Sequence, residues 1–169
     1  MAVPSDAHMV AFGRIIHNFA AVESGIKIAL SGILELNLDL AMIAFQPYTA
    51  STLKRVAKSI SKEKLKPHLS ETFIGIVGEW CGHSRLRNDI AHNRWTEGAA
   101  SNSIKPRYLS INADRAEWFG DGDEEAEYSA ADLENKALHL HNTNERLKAF
   151  LQASGLQSII EAKIAAASA

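Results

Sequence analysis

The feature that most constrains this chain is a run of apolar residues at helical spacing. Met9, Phe12, Ile16, Phe19, Ile26, Leu30 and Leu34 recur along one stripe with no proline between them. Side chains three and four positions apart share one face of an α-helix, so the pattern predicts a long amphipathic helix to about Leu36. Pro4-Ser5-Asp6 supplies its start, with Ser5 or Asp6 as the capping residue. Two charges, Glu23 and Lys27, fall inside the stripe one turn apart. They read as an ion pair at the rim of the core, or else Glu23 orients a cation elsewhere in the fold.

The rest of the chain repeats the helical pattern with one interruption. Asn37-Leu38-Asp39 supplies a turn and cap for a short helix over about 39–46, halted by Pro47. Thr49 or Ser51 caps a further helix to about Lys62, and a third long helix begins near Pro67. That helix keeps Leu69, Phe73, Ile76, Trp80, Arg87 and Ala91 on one stripe. Past Trp95, Gly98 to Ser103 reads as a small-residue loop. Ile104 to Ile111 alternates like a strand, and Ala116 to Phe119 can pair back to it. Gly120 to Glu127 is an acidic run without the spacing of an EF-hand loop, so it reads as a solvated turn. Ser129 and Asp132 open a last long helix with Leu133, Ala137, Leu140, Leu147 and Phe150 inward. Gly155 ends it, and a short helix from about Leu156 to Ala167 follows. The expected fold is all-α: an up-down bundle of four to five helices with a small β-hairpin insertion before the last long helix. It is expected to form one domain over residues 1–169, with the hairpin and acidic loop at about 101–128.

Charge and cysteine usage narrow the function. A net charge of −2 argues against holding nucleic acid by bulk electrostatics, so any such contact must be local. One place stands out: Lys54, Arg55, Lys58 and Lys62 crowd one predicted helix, either as a solvated face or as a track for RNA phosphates. The single cysteine, Cys81, can form neither an intramolecular disulfide nor a thiolate zinc cluster, which reads as a reducing cytoplasmic setting. His139 and His141 lack the i, i+4 spacing of a helical zinc pair. No metal site and no cofactor are expected, and neither a secretory signal nor a membrane span is predicted.

The stretch with chemistry in it is Arg87-Asn88-Asp89-Ile90-Ala91-His92. It places a permanent cation, an amide and a titratable imidazole on neighbouring turns of one helix, with Arg85 close to the His92 meridian as a second cation. Arg94, beyond the hexad, reads as a cation complementing the dipole of the helix C-terminus.

The Arg-Asn-x-x-x-His hexad resembles the signature of the HEPN superfamily, the higher-eukaryote and prokaryote nucleotide-binding domains. The match is specific over residues 87–92 and general over the helical plan. The resemblance implies a metal-independent endoribonuclease with Arg87, Asn88 and His92 as catalytic residues, cleaving RNA by attack of the 2′-hydroxyl. Glu23 and Arg85 would support them. It further implies a homodimer with the two hexads facing each other. The setting would be that of the toxin in a toxin–antitoxin or antiviral defence system, with a nucleotidyltransferase-like antitoxin as partner. The alternative is a non-catalytic nucleotide- or RNA-binding or dimerisation module on the same fold.

Overall fold

The structure is a computed structural model that describes residues 4–112, 115–119 and 127–167, with backbone alone for 109–112, 115–119 and 167. Seven helices and four short strands are described: α1 (Asp6–Ile33), α2 (Leu38–Phe45), α3 (Ala50–Lys64), α4 (Pro67–Gly82), α5 (Ser84–His92), β1 (Arg94–Glu97), β2 (Ser103–Asn112), β3 (Arg115–Phe119), β4 (Tyr128–Ser129), α6 (Ala130–Ala153) and α7 (Leu156–Ala167). The protein is therefore broadly all-α with a small antiparallel sheet. Among the described residues no helix is long and apolar enough to cross a membrane.

Capping chemistry sets most of the helix limits. Asn37 accepts from the backbone amides of Asp39 and Leu40 to start α2, and Thr49 accepts from Thr52 to start α3. Ser129 and Asp132 cap α6 reciprocally: the Ser129 hydroxyl accepts from the Asp132 amide at 3.1 Å and donates to its carboxylate at 2.6 Å. Gly155, at φ +75°, takes the left-handed turn that separates α6 from α7.

The chain divides into two compact units. One comprises the described residues of Met1–Asn18 and Arg85–His139, the other those of Phe19–Ser84 and Leu140–Ala169. In the second unit the core is made by Phe73, Ile76 and Trp80 of α4 with Val22, Ile26 and Leu30 of α1 and Leu147 of α6, all essentially buried. Each such side chain contributes about 1.5–3 kcal/mol on leaving water. The Trp80 indole donates to the Phe19 carbonyl at 3.1 Å, and Phe73 stacks on Phe150 with centroids 5.2 Å apart. The Glu23–Lys27 pair closes within α1 at 2.7 Å, with Lys27 buried beside it.

The first unit holds the sheet. β2 is its central strand: it pairs antiparallel with β1 (Trp95 opposite Pro106), with β3 (Ile111 opposite Ala116) and with β4 (Ile104 opposite Tyr128). Phe12 of α1 packs on Trp95 at 4.8 Å between centroids, and Trp95 meets Tyr128 at 6.1 Å. Here α1 and α6 run in the same sense, since Arg14 pairs with Glu134 and Asn18 donates to the carbonyl of Ala137.

Three expectations need correction. The helix from Pro67 does not continue into the hexad. Gly82 and Ser84, poor helix-interior residues, flank His83, which sits at φ −91°, ψ 0° and donates back to Trp80 in a tightened last turn. The break resets the helical phase, so the stripe from Leu69 to Ala91 is not one stripe: Ala91 is exposed, and Leu86 and Asp89 are the buried residues of α5. Arg94 does not decorate a helix end either; it opens β1 opposite Arg107, because Arg94-Trp95-Thr96-Glu97 pairs with β2. Met9 is exposed rather than part of the core stripe. The hairpin of Ile104–Ile111 with Ala116–Phe119 forms as read, whereas positions 120–126 of the acidic run lie outside the described residues.

Candidate functional site

All six residues of the hexad lie on α5, a nine-residue helix. Its inner face is formed by Leu86 and Asp89, three residues apart and both buried. That choice turns the other residues outward: Arg85, Asn88 and His92 are exposed, and Arg87 is half-buried. Asn88 and His92, one turn apart, share the outer face as their spacing requires. Arg87 donates from Nη1 to the Asn88 Oδ1 at 3.1 Å, so the amide holds the guanidinium at the surface. The His92 ring makes no hydrogen bond to another described residue. The structure thus brings Arg85, Arg87, Asn88 and His92 together on one short helix.

The other expected residues lie in the second unit. Glu23 is engaged with Lys27, the simpler of its two readings. Lys54, Arg55, Lys58 and Lys62 are all exposed on α3, opposite its buried Leu53, Ala57 and Ser61. Trp80, expected on one stripe with Arg87, is fully buried in the second unit.

Asp89 is not among the residues that the sequence singles out. It is the buried member of the hexad, 6% exposed, and it anchors the helix through polar contacts. The Asn93 side chain donates to its Oδ1 at 2.9 Å, the Tyr108 hydroxyl of β2 faces the carboxylate, and the Arg85 Nε stands 3.9 Å from Oδ2. Arg85 also donates from Nη2 to the Tyr108 oxygen at 3.4 Å. Burial pushes the Asp89 carboxyl above its ordinary value, opposed by the hydrogen bond from Tyr108, the charge of Arg85 and the Asn93 amide. The Tyr108 hydroxyl is likewise raised, chiefly by burial, and Tyr128 is raised by burial and by the nearby charge of Asp89. One sign of this was legible: Arg85, Asp89 and Asn93 fall at i, i+4 and i+8, the spacing of facing pairs on a helix. Nothing in the local sequence points to Tyr108, which arrives from the sheet.

A cavity of about 720 Å³ opens in the same unit, lined by Ser5, His8, Gly98, Ser103 and Ala130 among others. No hexad residue is among the described residues that line it. The hexad instead presents an open helix surface, suited to an extended polyanion more than to an enclosed small ligand. Among the described residues no group of three or more His, Cys, Asp or Glu side chains is arranged to hold a metal ion.

No protein-family model, no curated protein and no solved structure matches this chain.

Proposed function

We propose that the chain is a metal-independent endoribonuclease of HEPN type, acting on RNA in a toxin–antitoxin or antiviral setting, with Arg87, Asn88 and His92 as its catalytic group. The observation that carries this reading is the placement of an arginine, its amide partner and an exposed imidazole on one short helix anchored from beneath by a buried carboxylate. RNA brings its own nucleophile. A base takes the proton of a ribose 2′-hydroxyl, the oxygen attacks phosphorus, and the 5′-oxygen leaves with a proton from an acid, giving a 2′,3′-cyclic phosphate. His92 is the proton carrier, since an imidazole exchanges protons near neutral pH. Arg87 holds the non-bridging oxygens as charge builds on them, and Asn88 keeps its guanidinium in place. The exposed face of α3 carrying Lys54, Arg55, Lys58 and Lys62 supplies a non-specific phosphate track. Incubation with mixed RNA in the presence of a chelator tests the reading: products ending in 2′,3′-cyclic phosphate are expected. Intact RNA, or equal cutting of DNA, contradicts it.

One observation favours a second reading. His92 has no hydrogen-bonded partner to orient it among the described residues, and a single imidazole is poorly placed to serve both sides of one phosphorus. This fits a module that grips RNA or a nucleotide without cutting it. It equally fits a homodimer in which two copies of His92 face each other, with the helices packed as a HEPN bundle, one His92 acting as base and the other as acid. Mixing Arg87→Ala with His92→Ala protomers separates these readings. Regained cleavage supports the composite site; a monomeric mass with full wild-type turnover excludes it; and wild type that binds RNA but never cuts it leaves the binding module.

A further inference from the structure

Arg85 is an exposed arginine held from two sides. Its side chain is 78% exposed, yet Nη2 reaches the Tyr108 hydroxyl and Nε faces the Asp89 carboxylate. Surface arginines ordinarily sample many rotamers and lose that freedom when they grip a ligand. Arg85 has part of that cost met in advance. Its contacts use the edge of the guanidinium formed by Nε and Nη2, which leaves Nη1 and both its hydrogens without a partner among the described residues. Seven residues separate Arg85 from His92, two helical turns, so both stand on nearly the same meridian of α5.

We propose that Arg85 is a second phosphate-binding cation of the hexad site, and that Tyr108 and Asp89 are positioning residues that aim it. The site then takes two consecutive phosphates of an RNA strand, the scissile one at Arg87 and His92 and a neighbour at Arg85. This deepens the ribonuclease reading and rests on it for the identity of the ligand. It also explains why a carboxylate is kept buried beneath α5: Asp89 bears on Arg85 directly and through the Tyr108 hydroxyl. Strand β2 becomes part of the site, because its Tyr108 stands against both Arg85 and Asp89.

The test uses the whole protein and an RNA oligonucleotide methylated at every 2′-oxygen, which keeps the phosphates and removes the nucleophile. Affinity is measured over a salt series for wild type, Arg85→Ala, Tyr108→Phe and the double variant, with melting curves for each. Arg85→Ala is expected to weaken binding about tenfold and to lower the salt slope by about one phosphate contact. Tyr108→Phe is expected to weaken binding severalfold, and the double variant to lose no more than Arg85→Ala alone. Additive losses, or an unchanged salt slope in Arg85→Ala, overturn the proposal, as does wild type that fails to bind the methylated strand. The ribonuclease reading fails separately, when unmethylated RNA is bound with this same pattern of couplings and stays uncut.

Discussion

Helices α3 and α5 both carry exposed cations, yet they hold them differently. The side chains of Lys54, Arg55, Lys58 and Lys62 make no hydrogen bond or ion pair among the described residues; α3 simply turns its apolar face inward and leaves them in water. On α5, Arg87 is tied to Asn88, and Arg85 to Tyr108 and the buried Asp89. Mobile cations attract a polyanion anywhere along its length and are screened by salt. Cations held in place on the same short helix as a proton carrier can present one segment of RNA to it. Net charge would rank the two helices in the opposite order, so what marks α5 as the candidate site is its scaffold and not its charge.

The largest effect should separate the two helices outright. His92→Ala is expected to lower RNA turnover by about a hundredfold or more while leaving the melting temperature at its wild-type value, because the side chain is exposed. Arg87→Ala should lower turnover comparably. Replacing Lys54, Arg55, Lys58 and Lys62 together with serine should do the converse. RNA binding should weaken about tenfold at low salt and its salt slope flatten, with turnover at saturating RNA unchanged. A quadruple variant that loses turnover at saturation would erase the contrast.

Asp89 offers a smaller but more pointed effect. Its carboxyl is raised by burial, so folding takes up a proton at this group. The stabilising contribution is complete below the unfolded-state value and is lost as pH rises through the folded-state value. Asp89→Asn should therefore be at least as stable as wild type at neutral pH, with the difference vanishing towards acid pH, while turnover at neutral pH falls severalfold. Denaturant melts at several pH values check the sign. A wild type that gains stability over the variant as pH rises would make Asp89 an ordinary stabilising ion pair. The smallest effect belongs to Glu23: Glu23→Gln is expected to cost at most about 1 kcal/mol and to leave turnover normal, and a Lys27→Met background should show strong coupling in stability.

The same contrast governs how much was legible in the sequence. Elements fixed by local chemistry were read within a few residues: α2 by Asn37 and Pro47, α3 by Thr49, α6 by Ser129 and Asp132, and the hairpin by its alternation. The break at His83 was not, because apolar periodicity carries across Gly82 to Ser84 and only the cost of glycine and serine in a helix argued against continuity. Strand β1 was missed for a related reason: Arg94-Trp95-Thr96-Glu97 is too short to show a period, and its state is set by pairing with β2. At the site, the outward residues were legible because one helix carries them all. The inner half was not, since Asp89 looked like a filler position of the motif and Tyr108 joins it only through the fold of the sheet.

In the proposed reaction α5 acts on a phosphodiester through the neighbouring 2′-hydroxyl. An oligodeoxynucleotide carrying a single ribose, incubated with the wild-type protein in chelator, tests it most directly. One cut is expected, at the bond 3′ of that ribose, leaving a 2′,3′-cyclic phosphate, and no cut with the all-deoxy strand or with His92→Ala. Cleavage of the all-deoxy strand, or equal cleavage by His92→Ala, would contradict it.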